Sequence, residues 1–221
     1  MLVVPPLHEW GYTAILLAWV LFTALILTRW TYNVMRGRGL EHNVAVYYNR
    51  KLIHVLAGAT VALATPFVFT SYLPIAVMVI ILAVGNYIPH RTGKLMHWYQ
   101  VAENMYEVNF IIMWGIIMGI GFLLGNILLS IVAIMFMAVG DGVTGLVRNL
   151  LYRRRTKAFA GNLAMMAFCI PAGFMAFGFA GAVGGLLASL VEKFEFGPID
   201  DNITVPTVGL ASILLLQPIL P

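Results

Sequence analysis

The sequence contains one cysteine and few charged residues. Cys169 lies within an apolar run, so internal disulfides, cysteine-based zinc sites and iron–sulfur clusters are excluded. Charged residues make up 10% of the 221 residues, whereas an ordinary soluble protein has about 25%. Apolar residues make up 61%, and the mean hydropathy is +0.91. This composition excludes a soluble globular domain and predicts a single transmembrane domain over residues 1–221.

Common signatures of soluble enzymes are also missing. There is no G-x-x-x-x-G-K-[ST] loop, and no predicted strand precedes a G-x-G-x-x-G turn, so standard soluble nucleotide-binding folds are excluded. G-x-S-x-G and H-E-x-x-H are absent, which removes support for a serine hydrolase or a zinc protease. A nucleotide, if bound, must occupy a pocket built from membrane helices.

Apolar runs predict an all-α integral membrane bundle of about eight transmembrane helices, with seven to nine compatible. Each span needs about 17 to 20 apolar residues, which leaves only short loops in a chain of this length. The predicted spans are residues 12–28, 54–69, 73–88, 108–124, 127–139, 163–179, 180–191 and 203–220. The seventh span is short and rich in glycine.

The charged residues predict how the bundle lies in the membrane. With eight spans, all 13 lysines and arginines fall on one side, which the positive-inside rule makes cytoplasmic, and both termini lie outside. Eight of the nine acidic residues share that side, and Glu9 alone lies opposite. A polar cytoplasmic face is typical of an enzyme that brings a water-soluble reagent to a membrane-bound one. Pores and carriers more often place charge at mid-membrane.

The net charge of +4 does not indicate a nucleic-acid partner. Basic residues that flank spans are expected membrane anchors, and the sequence has no basic region interleaved with aromatic residues. The glycine-rich seventh span packs either within the chain or against a second copy, so a homo-oligomer stays open.

The first candidate group lies at the start of the second span. Spacings of three and four residues place Lys51 and Arg50 on the same helical face as His54, and Asn49 is a candidate N-cap. The two cations predict a pocket for a phosphate chain, and His54 is close enough to the interface to take or steer a proton. The alternative is an interfacial anchor beside a packed histidine.

The second group follows the fifth span. Asp141 ends a long apolar run, where an ionised carboxylate costs about 2.5–3.5 kcal/mol at mid-span and needs a partner. Flanking glycines leave room for a phosphate-bound cation to approach. The group comprises Gly140, Asp141, Gly142, Thr144, Gly145 and Arg148. The alternative is a structural ion pair between Asp141 and Arg148.

The third group precedes the sixth span. Lys157, with Gly161 and Asn162, is placed to reach phosphate oxygens. The arginines at 153–155 are by default anchors for anionic lipid head groups.

The fourth group begins the eighth span. Asp200, Asp201 and Asn202 either cap the free amides of this helix or hold Mg²⁺, which prefers a few carboxylates together with phosphates and water. Glu192, at the end of the seventh span, is a further candidate ligand. The weaker candidates are two glutamates four residues apart, Glu103 and Glu107.

In their order along the chain, the four groups resemble the conserved segments of the dolichol kinase and phytol kinase family, within the wider cytidylyltransferase-like membrane superfamily. The similarity covers about residues 49–206. Residues 140–142 match the family's Gly-Asp nucleotide segment. Lys157 and residues 161–162 match a Lys-rich segment that ends in Glu-Gly-Ser or Glu-Gly-Thr, with Ala160 in place of the usual glutamate.

This resemblance implies Mg²⁺-assisted transfer of the terminal phosphoryl group of CTP to the hydroxyl of a membrane isoprenoid alcohol such as dolichol, phytol or geranylgeraniol. The residues expected to contact the nucleotide are Arg50, Lys51, Gly140, Gly142, Thr144, Gly145, Arg148, Lys157, Gly161, Asn162 and Asn202. The expected metal ligands are Asp141, Asp200, Asp201 and Glu192. The expected catalytic residues are His54, Asp141 and Asp201, one of which acts as the base.

Two other functions stay open at this point. A cytidylyltransferase that forms a CDP-lipid would use similar groups, but its phospholipid substrate would attack the α-phosphate. A small membrane transporter would catalyse no phosphoryl transfer.

Overall fold

The described part of the chain is a bundle of helices. The computed structural model describes residues 4–152, 156–194 and 199–220, and no β-strand occurs among them. The helices are α1 (Leu7–Gly37), α2 (His42–Val68), α3 (Leu73–Thr92), α4 (Tyr106–Leu124), α5 (Ile127–Tyr152), α6 (Phe159–Val191) and α7 (Asp201–Leu216). Within the described residues, α1 to α6 are long and apolar enough to cross a membrane, whereas α7 is shorter.

The helix ends follow ordinary capping chemistry. Gly93 and Gly125, with φ of 70° and 66°, adopt the left-handed conformation that ends α3 and α4. Asn126 caps α5 by accepting a hydrogen bond from the backbone amide of Leu129 at 3.3 Å. The loops can therefore be short, and successive helices run back and forth.

The helix α6 reverses direction within its length. Phe177 and Gly178 have non-helical backbone angles, and Gly178 has a φ of 56°. Beyond this point the chain returns so closely that a Cβ on Gly173 would lie 2.1 Å from the carbonyl oxygen of Gly181. The helix therefore forms two antiparallel arms, and the reversal falls close to the predicted boundary between the sixth and seventh spans. The number of membrane crossings stays a prediction.

The outer surface of the bundle is apolar, as an integral membrane protein requires. Large apolar side chains such as Phe67, Leu123 and Met175 are more than four-fifths exposed. The central helix is α5, and α1 and α3 are the least buried of the long helices. The core includes Phe136 and Met137 of α5, which are fully buried. The surface and the core together fit a protein whose outer solvent is lipid.

Among the described helices, three contain a π-helical turn, in residues 22–27 of α1, 54–59 of α2 and 136–140 of α5. The turn in α2 begins at His54, and the turn in α5 ends directly before Asp141. Such turns are common at functional sites, since they change the direction of the side chains next to them.

One sequence prediction about these helices needs correction. Asn49 is not an N-cap, because α2 begins at His42 and Asn49 lies inside it. Its side-chain amide instead donates hydrogen bonds to the carbonyl oxygens of Thr28 and Trp98 at 2.6 and 2.8 Å. An apolar run shows which part of a helix is suited to lipid. The helix itself can extend beyond that run, because its backbone hydrogen bonds form equally in polar sequence. Lys51 and Asp141 therefore lie within helices rather than at their ends.

Candidate functional site

Asp141 is the centre of a buried polar contact between α2 and α5. Lys51 donates a hydrogen bond to Oδ2 of Asp141, and Nδ1 of His54 lies 3.4 Å from the same oxygen. All three side chains are buried. The ring of His54 stacks on Phe110 of α4, with ring centroids 4.0 Å apart. The structure therefore brings the first and second candidate groups together.

Glu192, at the end of the second arm of α6, is held by Arg148. The guanidinium group donates to both carboxylate oxygens of Glu192, at 2.7 and 2.8 Å, and to the side-chain oxygen of Asn162 at 3.1 Å. Its Nε donates to the carbonyl of Ala158 at 3.0 Å. A buried charge needs this degree of compensation. The alternative ion pair between Asp141 and Arg148 is wrong, because each residue pairs with a different partner.

Lys157 connects α6 to α7. Its ammonium group donates to Oε1 of Glu192 at 2.9 Å and to Oδ2 of Asp201 at 3.0 Å. Its side chain is 27% exposed, whereas those of Lys51 and Arg148 are almost fully buried. The third and fourth candidate groups therefore also meet, and Lys157 is the most accessible of these cations.

Three carboxylates from different helices form one cluster. Asp141, Glu192 and Asp201 each offer an oxygen, and these oxygens lie within 4.8 Å of one another. Like charges this close oppose ionisation unless cations neutralise them. Lys51, Arg148 and Lys157 supply three positive charges for three negative ones.

The donor set of this cluster fits a magnesium ion. Mg²⁺ binds oxygen ligands and is usually held by one or two carboxylates together with substrate phosphates. Oδ1 of Asp141 is buried and has no hydrogen-bond partner in the described part of the chain. Both oxygens of Glu192 already accept from Arg148, so Asp141 and Asp201 are the more available ligands.

Asp200 lies beside the cluster but has a different local role. Its carboxylate caps α7 by accepting from the backbone amide of Asn202 at 3.1 Å, and it accepts from the side-chain amide of Asn109 at 3.0 Å. Burial, and then the negative charge of Asp201, raises the pKa of Asp200 to about 6. The side-chain amide of Asn202 donates to the carbonyl of Tyr106 at 3.3 Å. Metal binding by Asp200 and nucleotide binding by Asn202 stay predictions.

Two glycines allow long cationic side chains to cross the helices. A Cβ on Gly145 would lie 2.9 Å from Cε of Lys51, and a Cβ on Gly161 would lie 2.4 Å from Nε of Arg148. Lys51 and Arg148 thus reach their carboxylates across helix surfaces that carry no side chain. This is a packing role that the sequence did not predict.

The remaining residues of the Gly-Asp segment pack against their neighbours. Gly140 faces the side chain of Cys169, and Gly142 faces Val55. The hydroxyl of Thr144 donates to the carbonyl of Gly140 at 3.0 Å. The space beside these glycines is filled by the chain itself, and their contact with a nucleotide stays a prediction.

Arg50 lies between two cavities. Its guanidinium group is 3.9 Å from the centre of the Tyr106 ring. On one side is a polar cleft of about 10 Å³, with room for about one water molecule, whose lining includes Tyr47, Lys51, Lys157 and Asp201. On the other side is a cavity of about 370 Å³ between α1, α2, α3 and α4. His54 lines the larger cavity as well, so this cavity extends to a residue whose ring lies 3.4 Å from Asp141 of the carboxylate cluster.

The larger cavity was missed from the sequence, although Glu107, which lines it, was one of the weaker candidates for the metal site. Glu107 is buried, lines this cavity, and hydrogen bonds to His90 at 2.5 Å and to Gln100 at 2.8 Å. Glu103 is exposed. The cavity is made by apolar positions on four helices, a combination that no local pattern reveals. The arginines at 153–155 lie outside the described residues.

Comparison of the chain with protein-family models, with curated proteins and with solved structures finds no match. The resemblance to the dolichol kinase and phytol kinase family therefore rests on the sequence segments alone.

Proposed function

We propose that the protein is a CTP-dependent kinase that phosphorylates the hydroxyl of a membrane isoprenoid alcohol of the dolichol, phytol or geranylgeraniol type. The observation that carries this proposal is the convergence of Lys51, Asp141, Lys157 and Asp201 in one buried cluster beside an apolar cavity. The choice of CTP and of an isoprenoid alcohol comes from the family resemblance.

Phosphoryl transfer depends on charge neutralisation and in-line positioning more than on covalent chemistry. Asp141 and Asp201, with Glu192 beside them, would hold Mg²⁺, which when bound supplies positive charge at the phosphates. The polar cleft is too small for a triphosphate as it stands. Binding therefore requires Lys51 and Lys157 to exchange their carboxylate partners for phosphate oxygens. The partial exposure of Lys157 favours such a movement.

His54 is the proposed general base. Its ring lines the apolar cavity, and its Nδ1 lies 3.4 Å from Oδ2 of Asp141. His54 accepts the proton of the alcohol as the alcohol oxygen bonds to the γ-phosphorus. The bond from the γ-phosphorus to the bridging oxygen breaks, and CDP leaves. Asp141 stabilises the protonated imidazole.

The proposed membrane placement has about eight crossings, with the site on the cytoplasmic face and both termini outside. The positive-inside rule supports this orientation. The two antiparallel arms of α6 support counting the sixth and seventh spans separately. In this placement a soluble nucleotide reaches the cluster while the lipid alcohol stays in the bilayer.

The deciding experiment gives the purified protein, in vesicles with geranylgeraniol, phosphatidic acid and Mg²⁺, CTP labelled at either the α- or the γ-phosphate. A kinase transfers only the γ-label to extracted lipid, and Asp141→Asn serves as the inactive control. Transfer of the α-label to phosphatidic acid would instead establish a cytidylyltransferase. Solute flux without either label in lipid would support a transporter and overturn the kinase proposal.

A further inference from the structure

We infer that the cavity between α1, α2, α3 and α4 binds the hydrocarbon chain of a single-chain lipid alcohol, with the hydroxyl at the end formed by Arg50, His54 and Glu107. This inference rests on the proposed function and identifies where the acceptor lies. It concerns a cavity that is separate from the carboxylate cluster and is joined to it through His54.

The walls of the cavity suit a hydrocarbon. Its volume is about 370 Å³, and apolar side chains from all four helices line it, including Leu21, Leu25, Val61, Met78, Leu82 and Trp114. Ligand pockets of about 300–1,000 Å³ with mostly apolar walls and a few polar groups are the usual form of a small-molecule site. Burying a hydrocarbon chain against these apolar walls is favourable, whereas burying a charged group there is not.

The polar end of the cavity lacks hydrogen-bond partners. Nε of Arg50 and Oε2 of Glu107 are both buried, and neither has a hydrogen-bond partner among the residues that the structure describes. Leaving such a buried polar group without a partner is unfavourable, so a ligand that supplies the missing hydrogen bond is favoured. A hydroxyl both donates and accepts, so one alcohol can serve a donor such as Arg50 and an acceptor such as Glu107. Glu107 and Arg50 give this end one charge of each sign, so it has no net positive charge to favour a phosphate head group.

The cavity is open on its lipid side. Leu25 of α1 and Ile81 of α3 line it and are 40% and 49% exposed. From His54 to Val61 the cavity follows seven residues of α2, which is about 10 Å at 1.5 Å per residue. This is about a third of the hydrocarbon thickness of a bilayer. The cavity therefore holds the hydroxyl end of the chain, and the remainder leaves between α1 and α3 into lipid.

The test is photoaffinity labelling, without nucleotide, by a geranylgeraniol analogue that carries a diazirine on its chain. The protein is in phosphatidylcholine vesicles, and mass spectrometry locates the labelled residues. We expect labels on cavity-lining residues of α3 and α4, and competition by unlabelled geranylgeraniol. Labels outside the cavity, or equal competition by diacylglycerol or phosphatidic acid, would overturn the inference.

Two glycines provide a matched pair of variants. Gly85 lines the cavity, and a Cβ there meets nothing within 4 Å, so Gly85→Trp adds a side chain at the opening without a clash on the backbone. Gly11 has the same free space but does not line the cavity. We expect Gly85→Trp to reduce labelling about tenfold and Gly11→Trp to leave it unchanged. Undiminished labelling of Gly85→Trp would contradict the assignment.

Failure of this inference and failure of the proposed function can be told apart. Specific labelling of the cavity without phosphoryl transfer would support the lipid site and contradict the proposed kinase activity. Phosphoryl transfer with labelling elsewhere would keep the kinase and remove the cavity as its acceptor site.

Discussion

Lys51 in α2 donates a hydrogen bond to Asp141 in α5, ninety residues away in the sequence, and both side chains are buried. A buried charge without a partner would destabilise either helix, so Lys51 and Asp141 each neutralise the charge of the other. The pair joins the predicted phosphate-binding segment to the predicted metal-binding segment.

Removing the Asp141 carboxylate tests this pair. We expect Asp141→Asn to reduce phosphoryl transfer at least about 100-fold, because a charge placed for the reaction is lost. The variant also leaves Lys51 buried without its counter-ion, at a cost of about 3–5 kcal/mol. Transfer of γ-label to lipid and thermal unfolding in detergent measure the two effects.

The double variant Lys51→Met with Asp141→Asn separates the two effects. It removes both charges, so the unfolding midpoint should recover while the activity stays low. Recovery of activity together with stability would show that the pair is only structural.

Arg148 and Lys157 both contact Glu192, but we expect their substitutions to cause different defects. Arg148→Met should lower the free energy of unfolding by about 3–5 kcal/mol, since it removes a bidentate partner from a buried carboxylate. Lys157→Met should cost less than Arg148→Met, because the lysine is partly exposed and Glu192 keeps Arg148, although Asp201 loses its ion-pair partner. It should instead raise the KM for CTP. Equal destabilisation by the two substitutions would contradict this division of roles.

The reversal in α6 depends on Gly178. Its φ of 56° with ψ of −141° is strained for any residue with a Cβ, so Gly178→Ala should cost about 1–3 kcal/mol. Gly11→Ala is the matched control, because Gly11 is helical and its Cβ would meet nothing within 4 Å. This control should be neutral or stabilise α1 by up to about 1 kcal/mol. A straight α6 would instead make Gly178→Ala behave like the control in thermal unfolding.

Asp200 predicts a pH dependence of stability. Its pKa is raised to about 6 in the folded protein, above the ordinary value of 3.8. The folded protein therefore holds the Asp200 proton more tightly than the unfolded chain does. The resulting stabilisation is fully present below about pH 4 and is lost as the pH rises through about 6. Asp200→Asn keeps a side-chain oxygen that can cap α7, and the asparagine side chain cannot ionise. At pH 7, without Mg²⁺, it should be more stable than the wild type by roughly 1–3 kcal/mol.

Unfolding midpoints at pH 4.5 and pH 7 measure this difference. Glu103→Gln removes an exposed carboxylate and serves as the control. If the unfolding midpoint changes between pH 4.5 and pH 7 by the same amount in the wild type and in Asp200→Asn, the pKa of Asp200 is not raised.

The helices were largely predictable from the sequence because apolarity and turn signals are local. The predicted span 73–88 lies within α3, and the predicted start of the fifth span at residue 127 is the first residue of α5. The predicted fifth span ended at residue 139, although α5 continues to Tyr152, because polar residues can extend a helix beyond its lipid-facing part.

The sequence by itself determined that this is an apolar helical protein, and it identified the polar groups that meet at one site. It did so because composition, run length and residue spacing are properties of neighbouring positions. Only the tertiary structure decided that Arg148 pairs with Glu192, that Lys51 pairs with Asp141, and that four helices leave a cavity beside His54. Ion pairing and cavity shape depend on distances between helices, which packing sets and no single segment encodes.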